Sequence, residues 1–188
     1  MTTVDLPRPD VPAPVAVVRD FVNTTDHETG TDELDSAAGL TRYLAREGLL
    51  DGPARASRDD LALALRLRAA LREALEVNHD GTATDRPGLD GALAGALAAL
   101  PVRLGWQGDV PTLEPAGSGV PAALARIGVA AHEAATAGLW WRLKICRYDE
   151  CEWAYYDHSK NRSRSWCEYG CGNKVKTRAY RARQKALA

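Results

Sequence analysis

The chain has 188 residues, 45% of them hydrophobic and 26% charged, the make-up of a globular protein with room for one domain and a small appendage. No stretch approaches the roughly 18 to 20 apolar residues of a membrane span, and the first 30 residues lack the apolar core of a signal peptide, so neither membrane insertion nor export is expected and a cytoplasmic location is. The formal net charge of −1 hides an asymmetry: from Arg142 onward 12 Lys and Arg stand against 5 Asp and Glu, and the preceding part is acidic. All five lysines lie in that last part and four of the five tryptophans lie at Trp140 or later, which predicts two modules with different partners.

In chain order, MTTVDLPRPDVPAPV has four prolines among acids and short side chains, so residues 1–14 read as a disordered lead-in. The apolar segment VAVVRDFVNTTD (15–26) is expected as a first helix, its valines leaving a strand open. A second helix should start at Ser36 as N-cap and stop at Gly48. The clearest helix follows Ser57, which with Asp60 forms a weakened capping box; Leu61, Leu65, Leu67 or Arg68, Leu71 and Leu75 recur at near-helical spacing. A loop over 81–88, an Ala- and Leu-rich helix over 89–100 and a β-hairpin turning at Gly108-Asp109 come next. A long helix over 120–138, closed by Gly138, completes a mainly helical first module.

The four cysteines fall within 26 residues as C146-x4-C151-x15-C167-x3-C171. Two short-range pairs separated by a spacer suit a tetrahedral zinc site, each pair offering two thiolates from one tight turn. Disulfides are disfavoured because nothing suggests export. Four thiolates form a closed shell, so the expected cofactor is one structural Zn2+ with ligands Cys146, Cys151, Cys167 and Cys171. His158, in the spacer, is expected at the surface or in packing. A segment of about 40 residues has little core of its own, so the metal should provide much of its folding free energy.

Basic residues surround this constellation. Lys160, Arg162 and Arg164 alternate with Ser and Asn before the second pair. After it, Asn173 reads as the N-cap of a basic helix. Lys174, Arg178, Arg181 and Lys185 form one ridge of that helix, and Lys176 and Arg183 flank Tyr180 on another. A zinc module with such a loop and helix suits phosphates, and double-stranded DNA is the expected partner. A solvated tail, or a patch docked on the acidic first module, is the plainer alternative.

The stretch C-x4-C-x-W…YxDxSxNRSRxWC…CGNK-x-K-x-R-x-YRAR resembles the CGNR zinc finger of bacterial proteins. DFVNTTD (20–26) with DELDSAAGLTRYLAREGLL resembles the start of the helical ABATE domain that precedes that finger. The resemblance implies stress-induced transcriptional regulation and the same four cysteine ligands. Two departures stand out: Lys174 replaces the arginine of the name-giving motif, which keeps the charge but loses its bidentate fork, and the second cysteine pair is spaced by three residues rather than four. The expected fold class is mainly α (α+β with a small β-hairpin): an ABATE-like helical domain over 15–140, then a small four-cysteine treble-like zinc finger over 141–188 that ends in a basic helix.

The reading is a zinc-containing DNA-binding transcriptional regulator whose N-terminal domain senses a small-molecule effector or dimerises. Asn23, Thr24, Asp26 and His27 are candidates for an effector pocket, with helix capping as their alternative role. A homodimer would double the phosphate contacts of a single finger. The competing class is an enzyme or small-molecule-binding protein with a purely structural finger. There is no Gly-rich phosphate loop, paired-histidine motif or nucleophile elbow to support catalysis. A protein- or RNA-binding adaptor is the third class.

Overall fold

The computed structural model describes residues 11–79 and 89–186. The expected lead-in lies outside the described residues except for its last four positions, and the expected loop over 81–88 lies outside them entirely. Helix α1 (Ala13–Val22) begins within those four positions, with prolines in its first turn, where a missing N–H costs nothing. It buries Val15, Val18, Phe21 and Val22. A two-residue ribbon, β1 (Thr25–Asp26) with β2 (Thr31–Asp32), leads to α2 (Ala37–Arg46). Ser36 caps α2, its Oγ accepting the Gly39 N–H at 3.0 Å.

Helix α3 (Arg58–Val77) opens with a complete capping box. Asp60 N donates to Ser57 Oγ at 3.1 Å, and the Ser57 N–H donates back to the Asp60 carboxylate at 2.8 Å. Its buried face, which includes Ala64, Leu67, Leu71, Ala74 and Leu75, is turned slightly from the expected stripe, leaving Leu61 and Leu65 half-buried. Arg68 forks onto both carboxylate oxygens of Asp32 at 2.7 Å and donates to Thr24 at 2.9 Å, tying the β1–β2 ribbon to α3. Helix α4 (Leu89–Ala98) and an antiparallel hairpin, β3 (Val102–Gln107) with β4 (Val110–Pro115), follow as expected.

Helix α5 (Gly119–Thr136) is buried on nearly every side, from Val120 and Ala122 through Leu124 and Ile127 to Ala134. A helix apolar all round belongs at the centre of a domain, and α1, β4, α2 and α3 pack around it. After one 3-10 turn (Trp140–Arg142), the ribbon β5 (Leu143–Ile145) with β6 (Ala154–Tyr156) and the last helix, α6 (Cys171–Ala186), complete the chain. No described helix is long and apolar enough to cross a membrane.

The hydrophobic core does not stop near residue 140. Leu143, Ile145 and Ala154 of the β5–β6 ribbon are buried in the same cluster as Phe21, Leu71 and Ile127. A second, smaller cluster gathers the four cysteines with Tyr148 and Tyr155, and Trp153, Trp166 and Val175 pack against it.

Candidate functional site

The four cysteines, spread over 26 residues, converge on one point. All four are buried free thiols, and their Sγ atoms lie within 4.8 Å of one another. Cys151 and Cys167 are 3.7 Å apart, and Cys167 and Cys171 3.5 Å. A tetrahedral shell with Zn–S bonds of about 2.3 Å has S···S edges of about 3.8 Å, so the set fits one zinc ion. Three of the sulfurs accept a backbone N–H two residues on, at Tyr148, Trp153 and Tyr169, the donors a thiolate needs. Hydrogen bonds from Cys151 and Cys167 pull the Cys146 thiol far down, while the same close contacts push Cys151 and Cys167 up. Thiols so crowded cannot all ionise unless a cation neutralises them, and zinc does that.

The three-residue spacing of the second pair works because Gly170, at φ 82°, turns the chain directly into α6. The helix therefore starts at Cys171, with the Asn173 N–H donating to Gly170 O at 2.9 Å. Asn173 is not the N-cap expected of it: it lies in the first turn, because a metal ligand and a left-handed glycine start the helix two residues earlier. Cys171 is thereby both a metal ligand and the first residue of the helix.

The metal site is mounted on the helical domain through the β5–β6 ribbon. Alone, a two-stranded ribbon is marginally stable and both of its edges are unpaired. Here side chains of the helical domain close them. Along β5, Asn78 Nδ2 donates to the carbonyls of Trp140 and Leu143, both at 2.8 Å, and the His79 ring meets the carbonyl of Ile145. Along β6, Asn23 Nδ2 donates to Ala154 O at 2.9 Å while Ala154 N donates to Asn23 Oδ1 at 2.7 Å. Arg72 donates to the carbonyl of Glu152, between Cys151 and β6. Asn78, His79 and Arg72 carry no local signal in the sequence.

The loop between the ribbon and the second cysteine pair is organised by a buried ion pair that the sequence reading missed. Lys144 and Asp157 are 1% and 0% exposed and meet at 2.9 Å. Asp157 also accepts from Ser159 N, Ser159 Oγ and Arg164 N at 2.9, 2.6 and 3.0 Å. Lys144 donates further to the carbonyls of Arg162 and Arg164. Burial alone would push the Asp157 carboxyl up, but the donors of Ser159, Lys144 and Arg164 hold it down at about 2.

A comparison with protein families matches residues 142–184 to the CGNR zinc finger and residues 16–138 to ABATE, described as a "putative stress-induced transcription regulator". The chain belongs to the ABATE family. No curated protein matches it. It joins an ABATE domain to a zinc-binding CGNR finger, and the finger's ribbon is rooted in the ABATE core.

The basic residues of the finger occupy two settings. Lys174 reaches Glu28 of the ABATE domain at 3.0 Å, and Arg178 stands 3.7 Å from Asp149 and 3.5 Å from Glu150. These belong to the ridge facing a 680 Å3 groove that Asn173 and Arg181 also line, with Tyr148 and Tyr169 opposite. The other ridge, Lys176 and Arg183 beside Tyr180, has no acidic partner among the described residues. It lies on the flank of Gly172, where Trp166 packs at the end of the basic loop. In that loop Lys160 and Arg162 are exposed, and Arg164 is half-buried over the Tyr155 ring. Arg181, Arg183 and Lys185 are exposed on the outer part of α6.

Of the four residues read as effector-pocket candidates, Asn23 and His27 touch the finger, and Thr24 and Asp26 bond within the ABATE domain. Asn23 binds Ala154 and borders an 80 Å3 cavity beside Trp153 and Tyr169. Thr24 is buried, donating to Phe21 O at 2.8 Å. Asp26 accepts from the backbone of Glu28 and Thr29, and His27 lies 3.5 Å from Glu152.

Proposed function

We propose that the protein is a zinc-dependent regulator that binds double-stranded DNA through the CGNR finger. The observation that carries this reading is α6, a 16-residue helix without one acidic residue, fixed to the metal site by its first residue and exposed from Lys176 through Lys185. An exposed cationic rod on a rigid mount presents its charges at constant spacing, which suits a phosphate backbone. The interface comprises Lys176, Arg181, Arg183 and Lys185 of α6 together with Lys160, Arg162 and Arg164 of the loop. Asn173, Lys174 and Arg178 border its acidic side.

The zinc supplies no chemistry in this reading. It holds Cys171, and so the helix axis, against the loop. The ABATE domain positions the finger, and Asn23 and His27 serve the junction between the two. The decisive experiment titrates the zinc-loaded protein onto random duplex DNA across a salt series, with and without a strong chelator. The expected result is binding that weakens steeply with salt and vanishes on chelation. Absence of binding at low salt with zinc confirmed in place refutes the reading.

A further inference from the structure

The β3–β4 hairpin carries a surface that neither the metal site nor the basic helix uses. Side chains alternate along a strand, and directly opposed residues of an antiparallel pair share a face. With Val102 opposite Pro115, Leu104 opposite Leu113 and Trp106 opposite Pro111, one face of the ribbon is made of six apolar residues and nothing else. The polar residues Arg103, Thr112 and Glu114 all lie on the other face. Among the described residues nothing covers the apolar face at its β3 side: Val102 is 45%, Leu104 81% and Trp106 69% exposed. β4 lies closer to α5 than β3 does.

We propose that this face is where two copies of the chain meet, packed face to face about a two-fold axis through Leu104 and Leu113. The arrangement of residues selects a second copy over an unrelated partner. Read along β3 the sizes run small, medium, large, as Val102, Leu104, Trp106. A two-fold axis through the middle of the strip sets Trp106 of each copy over Val102 of the other, so the gap between the ribbons keeps one thickness. On β4 the strip is already symmetric, Pro111 and Pro115 about Leu113. No charge lies on the face, so self-contact buries none and opposes no like charges. The exposed apolar area is on the order of 400 to 500 Å2 per copy. Two copies thus bury about 1,000 Å2, enough for a specific interface that dissociates at low concentration.

The test is sedimentation equilibrium of the zinc-loaded full chain, without nucleic acid, from low micromolar to several hundred micromolar. The wild type is expected to run as a monomer–dimer equilibrium. Leu104→Glu and Trp106→Ser are each expected to raise the dissociation constant roughly 30-fold or more. Gln107→Glu, on the opposite face, should leave it unchanged. Because Leu104 and Trp106 are exposed in the single chain, helicity and zinc content should be unaffected, which separates lost association from lost folding. A wild type that stays monomeric over the whole range overturns the proposal and gives the face to another occupant. A dimer that Leu104→Glu leaves intact overturns it as well. The result is independent of DNA binding, since dimerisation and the salt-dependent affinity are measured separately.

Discussion

The carboxamide of Asn23 and the backbone of Ala154, 131 residues apart in sequence, exchange two hydrogen bonds of 2.9 and 2.7 Å. Asn23 thus does for the edge of β6 what one residue of a third strand would do. Replacing it with Ala leaves a backbone donor and acceptor of the ribbon unpaired at a half-buried junction, so Asn23→Ala should lose about 1 to 3 kcal/mol in urea denaturation. Asn23→Asp should lose more, because a carboxylate can accept from Ala154 N but repels Ala154 O. Equal stability of wild type and Asn23→Ala would mean that the junction does not depend on this pair.

The Lys144–Asp157 pair supports a second prediction. Each partner is fully buried, so removing one leaves the other uncompensated, and Lys144→Met or Asp157→Asn should each destabilise by about 3 to 5 kcal/mol. The pH dependence follows from the carboxyl, held at about 2 when folded against an ordinary value of 3.8. A lowered folded pKa gives stability that is complete above the unfolded value and lost as the pH falls through the folded one. The contribution of this charge is about 2 kcal/mol. The stability gap between wild type and Asp157→Asn should therefore narrow as the pH falls from 4 toward 2.

Much of this architecture is legible in the sequence because it is encoded locally. Ser36, Ser57 with Asp60, Gly48 and Gly138 act on neighbours within one turn, and the helices they bound lie where those residues place them. The cysteine spacing is a local signal of the same kind. Asn173 misleads for a physical reason: good capping chemistry was overridden by the metal ligand and the glycine before it. Asn78 and His79 are not legible, because their roles arise only when the end of α3 meets the ribbon 65 or so residues away, and Lys144 is not, because its partners come together only when the loop folds over the ribbon. Asp157 left a partial trace, since Asp-x-Ser is a turn-forming pattern whose side chain bonds two residues on.

The shared core makes the metal matter beyond the finger. Leu143, Ile145 and Ala154 are buried with the ABATE helices, so a finger released from its zinc loosens one wall of that core. Chelation, or Cys167→Ser, should remove the helicity of α6 and also lower the thermal midpoint of the remaining protein. Circular dichroism during titration with a chelator would read both changes, and metal analysis should give one zinc per chain. Replacement by Co2+ should produce the visible bands of a tetrahedral tetrathiolate site. A helical domain whose midpoint ignores chelation would mean that the two units are energetically independent despite the packing.

The two basic ridges of α6 should differ in what they contribute to binding DNA. Lys176 and Arg183 face solvent with no acidic partner among the described residues, so Lys176→Ala and Arg183→Ala should each reduce the slope of log affinity against log salt by about 1. Lys174 and Arg178 stand against Glu28, Asp149 and Glu150 and must leave those carboxylates to meet a phosphate. Exposed pairs of this kind are weak, so competition is modest, and alanine at either position should change the slope less. The reciprocal experiment is sharper. Neutralising the acids with Glu28→Gln, Asp149→Asn and Glu150→Gln should strengthen DNA binding by roughly a few-fold at low salt, an advantage that fades as salt screens both kinds of contact. Unchanged affinity in that triple variant would place the phosphates wholly on the Lys176 side, and weaker binding would mean that the acids orient the ridge rather than compete for it.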